Sequence, residues 1–190
     1  MQVQVYDGIY SYGDLRKYYD KGILNEFFSL ISKTVSPGDH VVIKPNFVKE
    51  SHLQYGDQWE QIVTNGELVR IVGLEVLKAL QGKGKLTITD APQTDSDWEE
   101  IIKRVGLPAI AKDLQSKTNV AVEYFDMREE RWFFKDGIIV RKKKLPGDPL
   151  GYSEIDLGID SLFTSKVNKN YYGADYDDFV TKQYHNEDHN

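Results

Sequence analysis

Apolar positions fall along the chain in two alternating rhythms, one of period two and one near 3.6, and the changes between them mark out the elements. Met1-Gln2-Val3-Gln4-Val5-Tyr6 alternates polar and apolar residues like a strand. Leu15, Tyr18 and Tyr19 follow Gly13-Asp14 as a short helix, and Leu24, Phe27, Phe28, Leu30 and Ile31 give a stronger one. Ser36-Pro37-Gly38-Asp39 closes it, and Val41-Val42-Ile43 reads as a strand buried on both faces. Lys44-Pro45-Asn46 stops that strand, because proline cannot continue a central ladder. After a polar loop, Leu68, Val69, Val72, Val76, Leu77 and Leu80 predict one helix face, with Thr64 and Glu67 at capping-box spacing and Gly82 as the stop.

The unit then repeats. Leu86-Thr87-Ile88-Thr89 predicts a strand ending at Asp90-Ala91-Pro92. Ser96 and Glu99 again have capping-box spacing, ahead of Ile101, Ile102 and Val105, and Gly106-Leu107-Pro108 breaks that helix. A further helix through Ile110 and Leu114 leads to the strand Val120–Phe125, which ends at Asp126. Strand and helix in alternation predict an α/β fold, a mostly parallel sheet in three layers with flanking helices. Arg131–Phe134 and Gly137–Lys143 add a β-hairpin near residues 131–144, since Asp136-Gly137 suits a tight turn. Ser153–Leu157 reads as another strand. No linker divides the 190 residues, so one α/β domain over 1–190 is expected.

Composition narrows the partners. A formal net charge of −6 leaves no basic excess for neutralising nucleic-acid phosphates, and the run Arg141–Lys144 reads as a strand edge guarded against unwanted pairing. Cysteine is absent, which removes disulfides, thiolate nucleophiles and thiolate metal ligands. No signal-peptide pattern or membrane-length apolar run is visible, so a cytoplasmic location without membrane partners is expected.

The candidate chemistry lies where strands end. Ligands of open parallel sheets bind beyond the strands' carboxyl ends, where helix N-termini also point. Lys44 with Asn46, Asp90, and Asp126 with Arg128 each end a predicted strand, and a parallel sheet would put them on one rim. Lys44 is a compact cation for a phosphate or carboxylate, Asn46 an amide to orient it, and Arg128 a further cation. Asp90 and Asp126 are candidate catalytic bases or ligands of a divalent ion. Pro92, with Pro45, would stiffen the loops. Taken singly, each such residue is explained by a strand end reaching solvent; their coincidence makes the set a candidate.

Other motifs carry less. Gly82-Lys83-Gly84-Lys85 precedes a strand and lacks phosphate-loop spacing, so it reads as a helix-to-strand turn. His185 and His189 are four apart in a polar terminus that lacks the H-E-x-x-H pattern. No G-x-S-x-G turn is present. Trp98 and Trp132 read as packing residues. Nothing assigns a cofactor, a metal or an oligomeric state.

Val41 to Val48, Thr64 to Leu80 and Thr87 to Gln93, with their I-K-P-N and D-A-P segments in order, resemble a bacterial and archaeal family catalogued as domain of unknown function 362. Asp126-Met127-Arg128, Ile155–Ser161 and Tyr171–Asp177 are similar to it as well. The resemblance implies that members continue into a further strand and a segment rich in proline, lysine and histidine, so the chain is expected to be an N-terminal portion. Some members carry iron–sulfur modules, which a chain without cysteine cannot hold in that way. The family is distantly similar to nickel-dependent lactate racemases, whose histidine signatures are not seen here. The association of members with cell-surface polysaccharide genes implies a sugar or sugar-phosphate ligand.

The leading expectation is an enzyme domain, or part of one, acting on a small anionic metabolite at Lys44, Asn46, Asp90 and Asp126. The alternative is a non-catalytic protein-interaction module working through the tyrosine-rich stretch from Tyr171 to Tyr184. A third is a metal-dependent enzyme using Asp90 and Asp126.

Overall fold

The computed structural model describes residues 12–51 and 59–153. The chain divides into two compact units, Met1–Pro149 and Leu150–Asn190. Only 150–153 of the second are described, so the first six residues, most of the Ser153–Leu157 segment, Tyr171–Tyr184, His185 and His189 lie outside the described residues.

The first unit is an α/β fold. Its elements run α1 (Tyr12–Asp20), α2 (Asn25–Thr34), β1 (His40–Ile43), α3 (Gly66–Leu80), β2 (Lys85–Asp90), α4 (Trp98–Val105), α5 (Leu107–Gln115), β3 (Ala121–Asp126), β4 (Glu130–Lys135) and β5 (Ile138–Lys144). Strands β1, β2 and β3 form a parallel sheet in that order, and β4 and β5 an antiparallel hairpin. Val41, Leu86 and Val122 are aligned across the sheet, as are Ile43, Ile88 and Tyr124. This row faces the core with Val69, Val76, Leu77, Leu80, Ile101, Leu107 and Leu114. Helix α3 packs on β1 and β2, α5 on β3, and the two helices on each other, so both crossovers lie on one face and share one hand. Among the described residues, the helices that contact the sheet lie on this face.

Because β1 is at the edge of this sheet, Val42 is 53% exposed, whereas the expectation was a strand buried on both faces. That environment belongs to the central strand β2, where Leu86 to Asp90 are all buried. Its Thr87 lies on the face away from the core, where its hydroxyl donates to Glu123 Oε1 (2.8 Å) and meets His40 Nε2 (2.8 Å). Helix α3 is buried on two sides: besides the sheet-facing row, Ile71 is fully buried with Leu24 and Phe28 of the α2 region.

Two helix starts are shifted from the expected capping boxes. The cap of α3 is Asn65, whose Oδ1 accepts from Glu67 N (2.8 Å), because the Thr64 hydroxyl accepts from the backbone N–H of Asn46 (2.9 Å). The cap of α4 is Asp97, because the buried Ser96 hydroxyl donates to the Val48 carbonyl (3.1 Å). The glycine turn before β2 is as expected, a helix-to-strand connection with Gly82 and Gly84 at positive φ.

Candidate functional site

Parallel register brings the polar strand ends together. Asp90 and Asp126 are register partners at the carboxyl ends of β2 and β3, and Lys44 and Asn46 follow β1 beside them. Each carboxylate has its own cation. Lys44 Nζ is 2.7 Å from Asp90 Oδ1, and Arg128 Nη2 is 2.7 Å from Asp126 Oδ2, with Nε of the same guanidinium 2.9 Å from Oδ1.

The four groups differ in what they leave free. Asp90 is buried, and its Oδ2 accepts from Phe47 N (2.6 Å) while Oδ1 accepts from Ala91 N (2.8 Å). It therefore ties the loop after β1 to the end of β2. Arg128 is also buried, and its Nη1 donates to the carbonyls of Gln93 (2.6 Å) and Ser96 (3.2 Å). With Asp126 held on its other edge, the guanidinium is a strap between β3 and the loop leading into α4. Pro92 is buried in that loop. Lys44 is different: its side chain is 61% exposed, so hydrogens not used on Asp90 face solvent, and Asn46 is exposed beside it.

Beside this row a cleft of about 410 Å³ opens at the end of β3. Its apolar wall includes Trp98, Tyr124 and Pro146, and its charged wall is Asp97, Glu99, Asp126, Arg128, Arg131 and Lys143. Asp126 and Arg128 thus belong to the cleft, while Lys44, Asn46, Asp90 and Pro92 are not in its lining.

Arg131 and Lys143 were not among the site residues expected from the sequence, which read Lys143 only as part of a guarded strand edge. They are cross-strand partners at the base of the hairpin. Arg131 Nη1 donates to Asp97 Oδ2 (3.0 Å), and its Nε is buried with no hydrogen-bond partner among the described residues. A buried donor left unpaired costs free energy. Burial pushes the Asp97 carboxyl up, but the Glu100 N–H and the Arg131 guanidinium outweigh it and hold Asp97 below the usual range. The only signal for Arg131 in the sequence was its place at the mouth of an Asp-Gly hairpin, since its partner Asp97 is 34 residues away.

The cleft thus sets three cations and three carboxylates beside an apolar wall of Trp98 and Tyr124. Among the described residues, no group of three or more acidic or histidine side chains could hold a metal ion, and no helix is long and apolar enough to cross a membrane.

Comparison with known proteins adds a family. A family model described as "Domain of unknown function (DUF362)" matches residues 41–149, more than half of the chain. No curated protein and no solved structure matches the chain.

Proposed function

We propose a function for a chain that belongs to the DUF362 family: it binds a small metabolite bearing phosphate or carboxylate at the carboxyl ends of its parallel strands, in the cytoplasm, as the binding part of an enzyme site. The observation that carries this reading is Arg131, whose buried Nε has no partner among the described residues and whose side chain lines the cleft. Lys44 supports it from the end of β1, two strands from the cleft, held at its nitrogen by Asp90 and otherwise open to water. Asp90 is too fully engaged by donors to serve readily as a base, so its contribution is to fix Lys44. Asp126 has the better access, at the cleft wall, although both its oxygens face Arg128.

A second reading has its own observation. Phe134, Ile138, Ile139 and Val140 are exposed together near the hairpin turn, which favours a non-catalytic interaction module.

A thermal-shift screen of phosphates, sugar phosphates, carboxylates and divalent cations separates the two. A ligand that binds the folded chain at about one hundred times its Kd adds roughly 2.7 kcal/mol of stability. The expected result is a shift in the wild type that is lost in both Lys44→Met and Arg131→Gln. If no anion shifts the wild type, the anion site fails and the interaction module is the reading that stands.

A further inference from the structure

We infer that the ligand of this site is a linear chain of phosphate groups, gripped by the cleft at one end and by one face of the hairpin along its length. This rests on the anion-binding reading above and names its substrate class. The hairpin is irregular at one point: its register shifts between Phe133 and Phe134, so that Phe134 faces Ile139 but Phe133 faces Arg141. Without that bulge, Phe133 would face Val140, and Arg141 and Lys143 would lie on the opposite side of the ribbon from Arg131. The bulge brings Arg131, Lys135, Arg141 and Lys143 onto one face with Phe133.

The two faces are not alike in charge. On the other face, Lys144 stands opposite Glu130, and Lys142 lies over the Trp132 ring (4.3 Å) and 3.4 Å from Glu130, so two cations share one carboxylate. On the cationic face Arg131 has Asp97, but among the described residues no carboxylate pairs with Lys135, Arg141 or Lys143. Edge protection accounts for lysines on an exposed strand, but not for two guanidiniums drawn to one ring. Phe133 holds two of these like charges together, with Arg141 3.7 Å and Arg131 5.0 Å from its ring centroid. An anion between the guanidiniums would relieve their repulsion.

Spacing sets the ligand's length. Same-face residues on a strand are about 7 Å apart, so the cations extend over roughly 13 Å from Arg131 to Lys135. One phosphate reaches a single rung, whereas a chain of phosphates reaches all of them. The rings of Trp132 and Phe133 are covered by the protein's own cations, which leaves them unsuited to stacking on bases and favours bare phosphate over nucleic acid.

Calorimetric titration of the full chain with orthophosphate, tripolyphosphate, long-chain polyphosphate and a single-stranded oligothymidylate tests this. Long-chain polyphosphate should bind at least about tenfold more tightly than orthophosphate, the equivalent of one added contact. Lys135→Gln with Arg141→Gln should erase that advantage. Lys83→Gln with Lys112→Gln, a charge-matched control on exposed residues elsewhere, should leave it intact. The inference is overturned if there is no advantage, if it survives the hairpin substitutions, if the control weakens it equally, or if the oligothymidylate binds as tightly. Orthophosphate binding that disappears in Arg131→Gln upholds the cleft independently of those results. Polyphosphate binding indifferent to Arg131→Gln would instead remove the cleft and leave the ribbon alone.

Discussion

Asp90 and Asp126 stand opposite each other in register at the ends of β2 and β3, and each is neutralised by a cation from its own neighbourhood, Lys44 and Arg128. Two adjacent carboxylates at the mouth of a parallel sheet would repel one another if left bare. Here one cation is a buried strap and the other is largely exposed, and this difference separates structure from binding at the rim.

Asp90→Asn should be costly. The carboxylate takes two backbone N–H donors in a buried position, and an amide can satisfy only part of that set. A loss of about 2–3 kcal/mol is expected in urea unfolding, from weakened hydrogen bonds to a charged acceptor. Lys44→Met should cost less than about 1 kcal/mol, since its side chain is mostly in solvent. Equal losses would show that Lys44 is structural.

Arg128→Met should destabilise the fold by about 3–5 kcal/mol, the penalty for leaving a buried charge without its partner. Arg128→Lys should recover only part of it, because an ammonium cannot span Asp126 and the carbonyls of Gln93 and Ser96 together. Full recovery by lysine in a thermal melt would reduce the strap to a simple ion pair.

Gly66→Ala tests how closely α3 approaches the α4–α5 corner. A β-carbon there would overlap the Val105 carbonyl oxygen and sit 2.8 Å from Ile110 Cδ1. Overpacking of this kind costs about 1–3 kcal/mol. Chemical denaturation that leaves the midpoint unmoved would mean that the corner yields freely.

The lowered pKa of Asp97 predicts a direction in acid. A carboxyl depressed in the folded state stabilises the fold above its unfolded-state pKa, about 3.9, and that stability is lost as pH falls through the folded value. Arg131→Gln removes one of the groups that hold it down. Its relative loss of stability should therefore be present at neutral pH and shrink below about pH 4. A loss that stays constant from pH 7 to pH 2 would mean that Arg131 acts through packing instead.

Much of this architecture could be read from the order of residues, because periodicity reports burial directly. The core row of β2, the spacing of α3 and the Asp136-Gly137 turn, with φ of 52° and 77°, are local properties. Where local reading failed, a distant residue had intervened. Thr64 and Ser96 are good helix caps in isolation, but Asn46 and Val48 engage their hydroxyls from across the strand ends, so the cap passes to the next residue each time. The convergence of Asp90 and Asp126 followed from parallel pairing alone. The cleft did not, since Arg131 meets Asp97 only through tertiary packing and the hairpin bulge has no simple signature.

Val48, Lys49 and Glu50 after β1 are bound to Gln93, Asp95 and Asp97 after β2. Gln93 N donates to the Val48 carbonyl (3.0 Å), Asp97 N to Glu50 Oε2 (2.9 Å), and Lys49 pairs with Asp95. In kinetic terms these contacts predict a single cooperative opening unit. Its amide protons should exchange with deuterium at one common rate, and a molecule that immobilises either loop should slow exchange in both.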